Sequence, residues 1–395
     1  MEQQARTTSP LDFAQLRVLV MDGGGKQTLA MVRGLKELGC HVTVLCSTRY
    51  DTCYVSNKPD EKLLNPNLVE RNEETLRYLL SLVEGGSYDV LMPIGELSTN
   101  FVTSHENELL PHVRLACAPR EVYIRAFNKQ TTFDQAMASG IPCPYTRHSS
   151  QPIEDFLAKA TFPIIVKPRQ GLGSIGFHKF ETEAEFRTRM AAPDFDVDDY
   201  VVQEFVRFEN RIGTNLFVDR QGRICTSYAV DVTRWFPIDA GAGVLIQTVD
   251  AHEVLAYAGR LLQDLGWQGF ANVAFMIDCQ TGEPRLLEIN GRIPASVKMA
   301  YLCGCNVSRQ FLEMIFDQEV TAYPENQSFG MYIRHFDTDL AWFLHSKDRF
   351  RAHPSWFSWK NTQEILFSRD DQRPFWSHLM LKVFHYRETM QRKKH

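Results

Sequence analysis

The apolar positions of this chain change rhythm twice. RVLVMDGGG, residues 17–25, is an apolar run that stops in a glycine turn, which predicts a buried strand. TLAMVRGLKELG then spaces its apolar residues as a helix does, up to a glycine stop, and HVTVLCS predicts a second strand. Strand, helix, strand implies parallel pairing. YDVLMPIG at 88–95 repeats the strand-then-glycine pattern, so residues 1–118 are expected to form a small doubly wound α/β domain. Its glycines at 23–25 lack G-x-G-x-x-G spacing, and no acidic residue closes the second strand near position 46. That turn is expected to face a substrate rather than a dinucleotide.

From residue 119 strands and helices alternate differently. Residues 129–139 predict a helix ended by Gly140, and IPCP an extended exit. FPIIVKP predicts a strand, ETEAEFRTRM a helix and YVVQEFV a strand. RIGTNLFVDRQGRICTSYAV predicts a hairpin turning at Asp219 to Gly222. The helix VLAYAGRLLQDLG precedes the strands FANVAFMID and EPRLLEIN, joined by CQTG. Antiparallel strands with helices make residues 119–330 an α+β unit, with a lid subdomain at about 130–205. Residues 331–395 hold four of the six tryptophans and twelve lysines and arginines against seven acids. They are expected to form a helical cap on the core; the alternative is a face that meets a membrane surface or a glycan carrier.

Composition narrows the class. A chain of 395 residues predicts two or three domains, and a net charge of −5 gives no overall attraction to nucleic acid. MEQQARTTSPLDFAQ has no basic start and apolar core, so a secretory signal is not expected. No apolar run approaches the roughly 18 to 20 residues of a membrane span. Nine scattered cysteines without a CxxC pair predict structural thiols in a reduced, cytoplasmic setting, with peripheral attachment at the inner membrane face left open.

Two stretches carry chemistry. In IVKPRQGLGSIGF, residues 165–177, one lysine precedes the glycines, the reverse of the familiar phosphate-binding loop. In LLEINGR, strand alternation puts Glu288 and Asn290 on one side and Ile289 in the core. A carboxylate and an amide oxygen one pleat apart suit Mg²⁺, with nucleotide phosphates completing the shell. Arg292 can meet an anionic oxygen with its planar fork.

The order of Lys129, Lys167, the glycine run, QEFV and EINGR resembles the ATP-grasp superfamily of ATP-dependent carboxylate ligases over residues 119–315. Residues 1–118 resemble the domain that precedes it in those enzymes. The resemblance implies ATP with Mg²⁺ or Mn²⁺ as cofactors, and Lys129 and Lys167 on the α- and β-phosphates. Gly171, Gly173, Ser174 and Gly176 match the loop that closes over the phosphates. Gln203, Glu204 and the main chain of Phe205 and Val206 match the hinge that reads adenine, and Glu209 is the candidate for the ribose. Glu288 and Asn290 match metal ligands. A further ligand usually stands on the preceding strand, and the matching position here is Ala274. Water fills the gap, Asn272 or Asp278 reaches in, or the metal geometry has been lost.

TRWFPIDAGAGVLIQTV resembles the acceptor-facing segment of short-form carbamoyl phosphate synthetase-like ligases, which makes Arg234 and Arg292 candidate partners of a carboxylate or acyl phosphate, with Lys298 as a third cation. The activity implied is amide formation between a carboxylate and an amine through an acyl phosphate, with release of ADP and phosphate. The acceptor is a free amino acid, as in a dipeptide-type ligase, or a surface-polysaccharide, peptide or lipid-linked acceptor. A non-catalytic ATP-binding module is the reading from another class, and a homodimer is a further expectation. On the polymer reading, removal of residues 331–395 abolishes action on the acceptor and spares ATP binding.

Overall fold

The computed structural model describes residues 10–65, 72–171, 176–238, 242–323 and 329–392. The first domain is a parallel sheet of five strands, β1 (Arg17–Val20), β2 (His41–Cys46), β3 (Glu61–Leu64), β4 (Val90–Met92) and β5 (Arg114–Leu115), in the order β3-β2-β1-β4-β5. Its first connections are helices α1 (Lys26–Glu37), α2 (Thr52–Val55) and α3 (Asn72–Val83); α4 (Glu96–Ser104) and α5 (Glu106–Leu109) follow β4. Side chains alternate along β1, so Val18 and Val20 enter one core while Leu19 and Met21 enter another on the opposite face. A sheet buried on both faces explains why β1 reads as an unbroken apolar run.

Two helices, α6 (Arg120–Phe127) and α7 (Lys129–Ala138), lead into the second domain. A small antiparallel sheet follows, β6 (Ile164–Pro168), β7 (His178–Phe180) and β8 (Tyr200–Glu204) in the order β7-β6-β8, packed on α8 (Ile153–Leu157) and α9 (Glu183–Met190). Beneath it lies a seven-stranded sheet. Its members are β9 (Phe208–Val218), β10 (Ile224–Phe236), β11 (Ala242–Val249), β12 (Gly269–Asp278), β13 (Pro284–Asn290), β14 (Tyr332–Arg334) and β15 (Thr362–Glu364), in the order β13-β12-β9-β10-β11-β14-β15. One face packs on α7 and α10 (His252–Asp264). The other shares a core with the first domain, α11 (Lys298–Leu302) and α12 (Val307–Ile315). Gly34 on α1 permits this contact, because a Cβ there would sit 2.4 Å from the Tyr301 ring.

The C-terminal segment differs from the expected helical cap. It has helices α13 (Phe336–His345) and α14 (Arg373–Arg392), and it also supplies β14 and β15 to the large sheet. Asp371 pairs with Arg33 at 2.9 Å, Asp370 with Lys58 at 2.5 Å and Asp337 with Lys26 at 3.1 Å, which ties this segment to the first domain. None of the nine cysteines is in a disulfide.

Candidate active site

On β6, Ile164 and Val166 point into the small-domain core, so alternation turns Ile165 and Lys167 the other way. Facing them is β13 with its exit, Leu287 to Arg292. Between the two lies a cavity of about 300 Å³, closed at its sides by Tyr123, Phe127, Lys129, Gly171 and Phe177, and by Glu96 from the first domain. Six of the expected site residues meet here from separated parts of the chain: Lys129, Lys167, Gly171, Glu288, Asn290 and Arg292.

Lys167 Nζ donates to the Leu287 carbonyl at 3.3 Å and lies 4.4 Å from the centre of the Phe133 ring. Burial pushes its pKa down to about 7; the Glu288 charge opposes this and Lys129 adds to it. Lys129 Nζ donates to the Gly171 carbonyl at 3.0 Å. Gly171 has φ of 144°, and at Gly176, with φ of 78°, a Cβ would come within 2.8 Å of Pro168, so backbone geometry demands glycine at both. Gly173 and Ser174 lie outside the described residues, as does the Glu209 side chain.

Glu288 and Ala274 are register partners, and beyond Ala274 comes Gly213. The sheet therefore carries no polar side chain beside Glu288 along this row. Two register pairs along, Asn290 Nδ2 donates to Glu288 Oε1 at 3.2 Å and to Asn272 Oδ1 at 3.3 Å. Asn272 in turn donates to Asn215 Oδ1 at 3.2 Å. Asn272 thus reaches the ligand pair, and Asp278 does not: it accepts from Gln280 N–H in the β12–β13 turn and lies 3.9 Å from Arg285. Glu288 and Asn290 present oxygens, with Asn272 behind Asn290, and the described residues contain no group of three His, Cys, Asp or Glu able to hold a metal. A donor pair of one carboxylate and one amide oxygen fits a hard cation that keeps water and phosphate in its shell.

Two expectations are corrected. Arg234 does not line the cavity: it is 3% exposed and clasps Asp339 of α13 through Nε at 2.7 Å and Nη2 at 2.8 Å. A bulge in β10 between Val232 and Arg234 and the packing of α13 on that strand bring the pair together. Lys298 Nζ donates to the carbonyls of Glu364 at 2.6 Å and Phe367 at 2.9 Å, away from the cavity. In the hinge, Gln203 is buried against Thr146, the Glu204 carboxylate accepts Thr161 N–H at 2.6 Å, and Phe205 N–H donates to Pro163 O at 2.9 Å. Gln203, Glu204, Phe205 and Val206 do not line the cavity of about 300 Å³.

Two residues escaped the sequence. Glu96 Oε2 lies 3.8 Å from Arg292 Nε, and burial raises its pKa against the pull of Arg292. Its place just after the PIG turn was the available signal. Tyr123 is buried in the cavity wall with no hydrogen-bond partner for its hydroxyl among the described residues. Nothing in REVYIRAF marks it.

The ATP-grasp domain model matches residues 126–296. The N-terminal section of the carbamoyl phosphate synthase large chain of Methanopyrus kandleri is 21% identical over 265 residues, 62% of this chain and 47% of that protein. The chain thus spans about half the length of this curated relative. Among solved structures, the biotin carboxylase domain of Hydrogenobacter thermophilus 2-oxoglutarate carboxylase, in complex with MgADP and bicarbonate, superposes with a TM-score of 0.64 at 14% identity, over 80% of this chain and 74% of that one. N5-carboxyaminoimidazole ribonucleotide synthetase of Thermotoga maritima gives 0.56 at 16% identity, over 80% and 79%. At such identities the likeness is one of fold. Residues 126–296, which include the cleft between the small sheet and β13, match the ATP-grasp domain, and over this part the chain is similar to ATP-grasp proteins.

Proposed function

We propose that the protein is an ATP-dependent carboxylate–amine ligase that forms an amide through an acyl phosphate and releases ADP and phosphate. One observation supports this above others: two lysines from α7 and β6 face Glu288, Asn290 and Arg292 across a single cavity. Lys129 and Lys167 would hold the α- and β-phosphates of ATP, with Glu288 and Asn290 holding Mg²⁺. The bound cation would neutralise phosphate charge as the γ-phosphoryl group moves to a carboxylate oxygen. Arg292 offers two donors to the carboxylate and then to the acyl phosphate. Glu96, beside it, is placed to hold the incoming ammonium and to accept its proton when the amine attacks. The apolar wall of Phe127, Ile165, Phe177 and Ile289 keeps water from an intermediate that water would hydrolyse.

The substrates we favour are a small carboxylate and a free amino acid or amine, which a cavity of this size accepts. A surface-polysaccharide, peptide or lipid-linked acceptor is the second choice within the class. A coupled ADP-release assay across amino acids and uronic acids tests the proposal, with Glu288→Ala and Lys167→Ala as controls. Turnover with one pair, lost in both variants, supports it. Tight ATP binding without turnover on any pair would instead favour a non-catalytic ATP-binding module, a reading for which the bare position at Ala274 speaks.

A further inference from the structure

The C-terminal segment has two unlike faces. Its inner face is the one tied to the first domain by Arg33, Lys58 and Lys26. Its outer face carries a connected set of rings. Phe343 contacts Phe350, Trp356 and Phe357; Phe336 contacts Trp356, Trp359 and Phe375; and Phe375 contacts Trp376, all at centroid distances of 4.5 to 6.2 Å. Within residues 351–359 exposed and half-buried residues alternate. Phe350 is left 74% exposed, Phe357 63%, Trp359 48% and Trp376 53%. Large rings are rarely left in water as a contiguous group on a monomeric surface.

Charge decides what would cover them. Lys347, Arg351, Lys360, Arg373 and Lys382 are exposed, and none forms an ion pair among the described residues. The exposed acids of the same stretch, residues 344–382, are Asp348 and Asp370, and Asp370 is already held by Lys58. Exposed aromatic rings on a segment with an excess of unpaired cations match the headgroup region of a bilayer, where rings enter the interface and the cations meet anionic lipid. A protein partner of ordinary composition would leave these five cations without counter-charge.

We propose that this face, centred on Phe350, Phe357, Trp359 and Trp376, is a peripheral binding surface for an anionic lipid bilayer. The inference does not rest on the reading of the cleft. The test is co-sedimentation of the full chain with phosphatidylcholine–phosphatidylglycerol vesicles, against pure phosphatidylcholine, at low and high salt. Binding to the anionic vesicles at low salt is expected to fall about tenfold or more in Phe350→Ser/Phe357→Ser and in Lys347→Glu/Lys360→Glu, with thermal unfolding unchanged. All four sites are exposed, so the variants should fold. Absence of binding to anionic vesicles overturns the proposal, as does equal binding to neutral vesicles. Sedimentation velocity adds a further outcome: a dimer that Phe350→Ser/Phe357→Ser dissolves assigns the face to a second copy and overturns it too.

Discussion

The amide nitrogen of Asn290 is shared between two acceptors, Asn272 Oδ1 at 3.3 Å across the β12–β13 pair and Glu288 Oε1 at 3.2 Å on its own strand. With its nitrogen spent, Asn290 turns its oxygen to the cleft, where Arg292 Nη2 donates to it at 3.5 Å. Asn272 is then a positioning residue, since it fixes which end of the Asn290 amide faces the site. Asn272→Ala is expected to raise the Mg²⁺ concentration for half-maximal ATP-dependent turnover by about tenfold, the lower end of what outer-shell partners contribute. An unchanged Mg²⁺ titration would refute the positioning role.

Ala274 faces Glu288 as its register partner. In Ala274→Asp a second carboxylate stands across from the first, and the two repel unless a cation lies between them. The variant should unfold at lower temperature than the parent with EDTA. It should also gain more from MgADP in a thermal-shift titration; an equal shift in both proteins would show that this position takes no part in cation binding.

Lys167 gives a pH dependence with a defined sign. Its pKa is about 7 in the folded chain, against about 10.4 for a free lysine. Between those values the unfolded chain binds more protons, so stability rises as pH goes from about 7 towards 10, and the cost of the buried ammonium is full below 7. Lys167→Met should therefore be more stable than the parent in urea at pH 6, by more than about 1 kcal/mol, and the gain should vanish near pH 10. Phosphates favour the charged form, so ATP binding at pH 8 should take up close to one proton, measured by calorimetry in two buffers of different ionisation enthalpy. Calorimetric heats independent of the buffer would contradict this.

Arg234 and Asp339 are both buried, and Arg334 Nε approaches the same carboxylate at 3.2 Å. Removing Arg234 leaves Asp339 with Arg334 as its counter-charge but takes away two charge-assisted hydrogen bonds, each contributing about 1.5–3 kcal/mol. Arg234→Met is expected to lose that much in chemical denaturation while its folded fraction keeps the parent's KM for ATP. A variant of parental stability with a raised substrate KM would return Arg234 to the acceptor site.

Glu96 makes a separable claim. Glu96→Gln should lower kcat/KM for the amine by tenfold or more, on the order expected for loss of a charged contact and proton acceptor, and leave ATP binding unchanged. Equal loss of both would place it at the nucleotide instead.

The same contacts alter what truncation can test. Residues 331–395 contribute the buried Ile333, Trp342, Ile365 and Leu366 and two strands of the large sheet. Deleting them exposes the edge of β11 and strips Arg33 and Lys26 of their carboxylates, so loss of action on an acceptor would report unfolding. The surface variants at Phe350 and Phe357 avoid that.

Much of the site was legible because its signals are local. Lys167 sits at the end of an alternating strand, Glu288 and Asn290 lie one pleat apart, and Arg292 follows directly, so pattern alone sets their relative directions. Arg234 misled because its sequence surroundings, a polar strand end before a glycine turn, look the same whether the strand meets solvent, a substrate or a buried carboxylate. Its partner Asp339 stands more than a hundred residues away, and only packing of α13 on β10 joins them. Glu96 and Tyr123 were missed for the same reason: the first domain and α6 reach the cavity through tertiary docking, which leaves no period in the sequence.

By itself the sequence determined the parallel first domain, the antiparallel strands of the second and the pleat that carries Glu288 and Asn290, because strand alternation and glycine stops are properties of a few adjacent residues. Tertiary structure alone decided that residues 331–395 complete the large sheet, that Arg234 is a buried ion-pair partner, that Glu96 faces Arg292 and that Asn272 stands beside the gap at Ala274. Each of these depends on distant segments burying apolar surface together, and the polar pairs follow from where that burial places them.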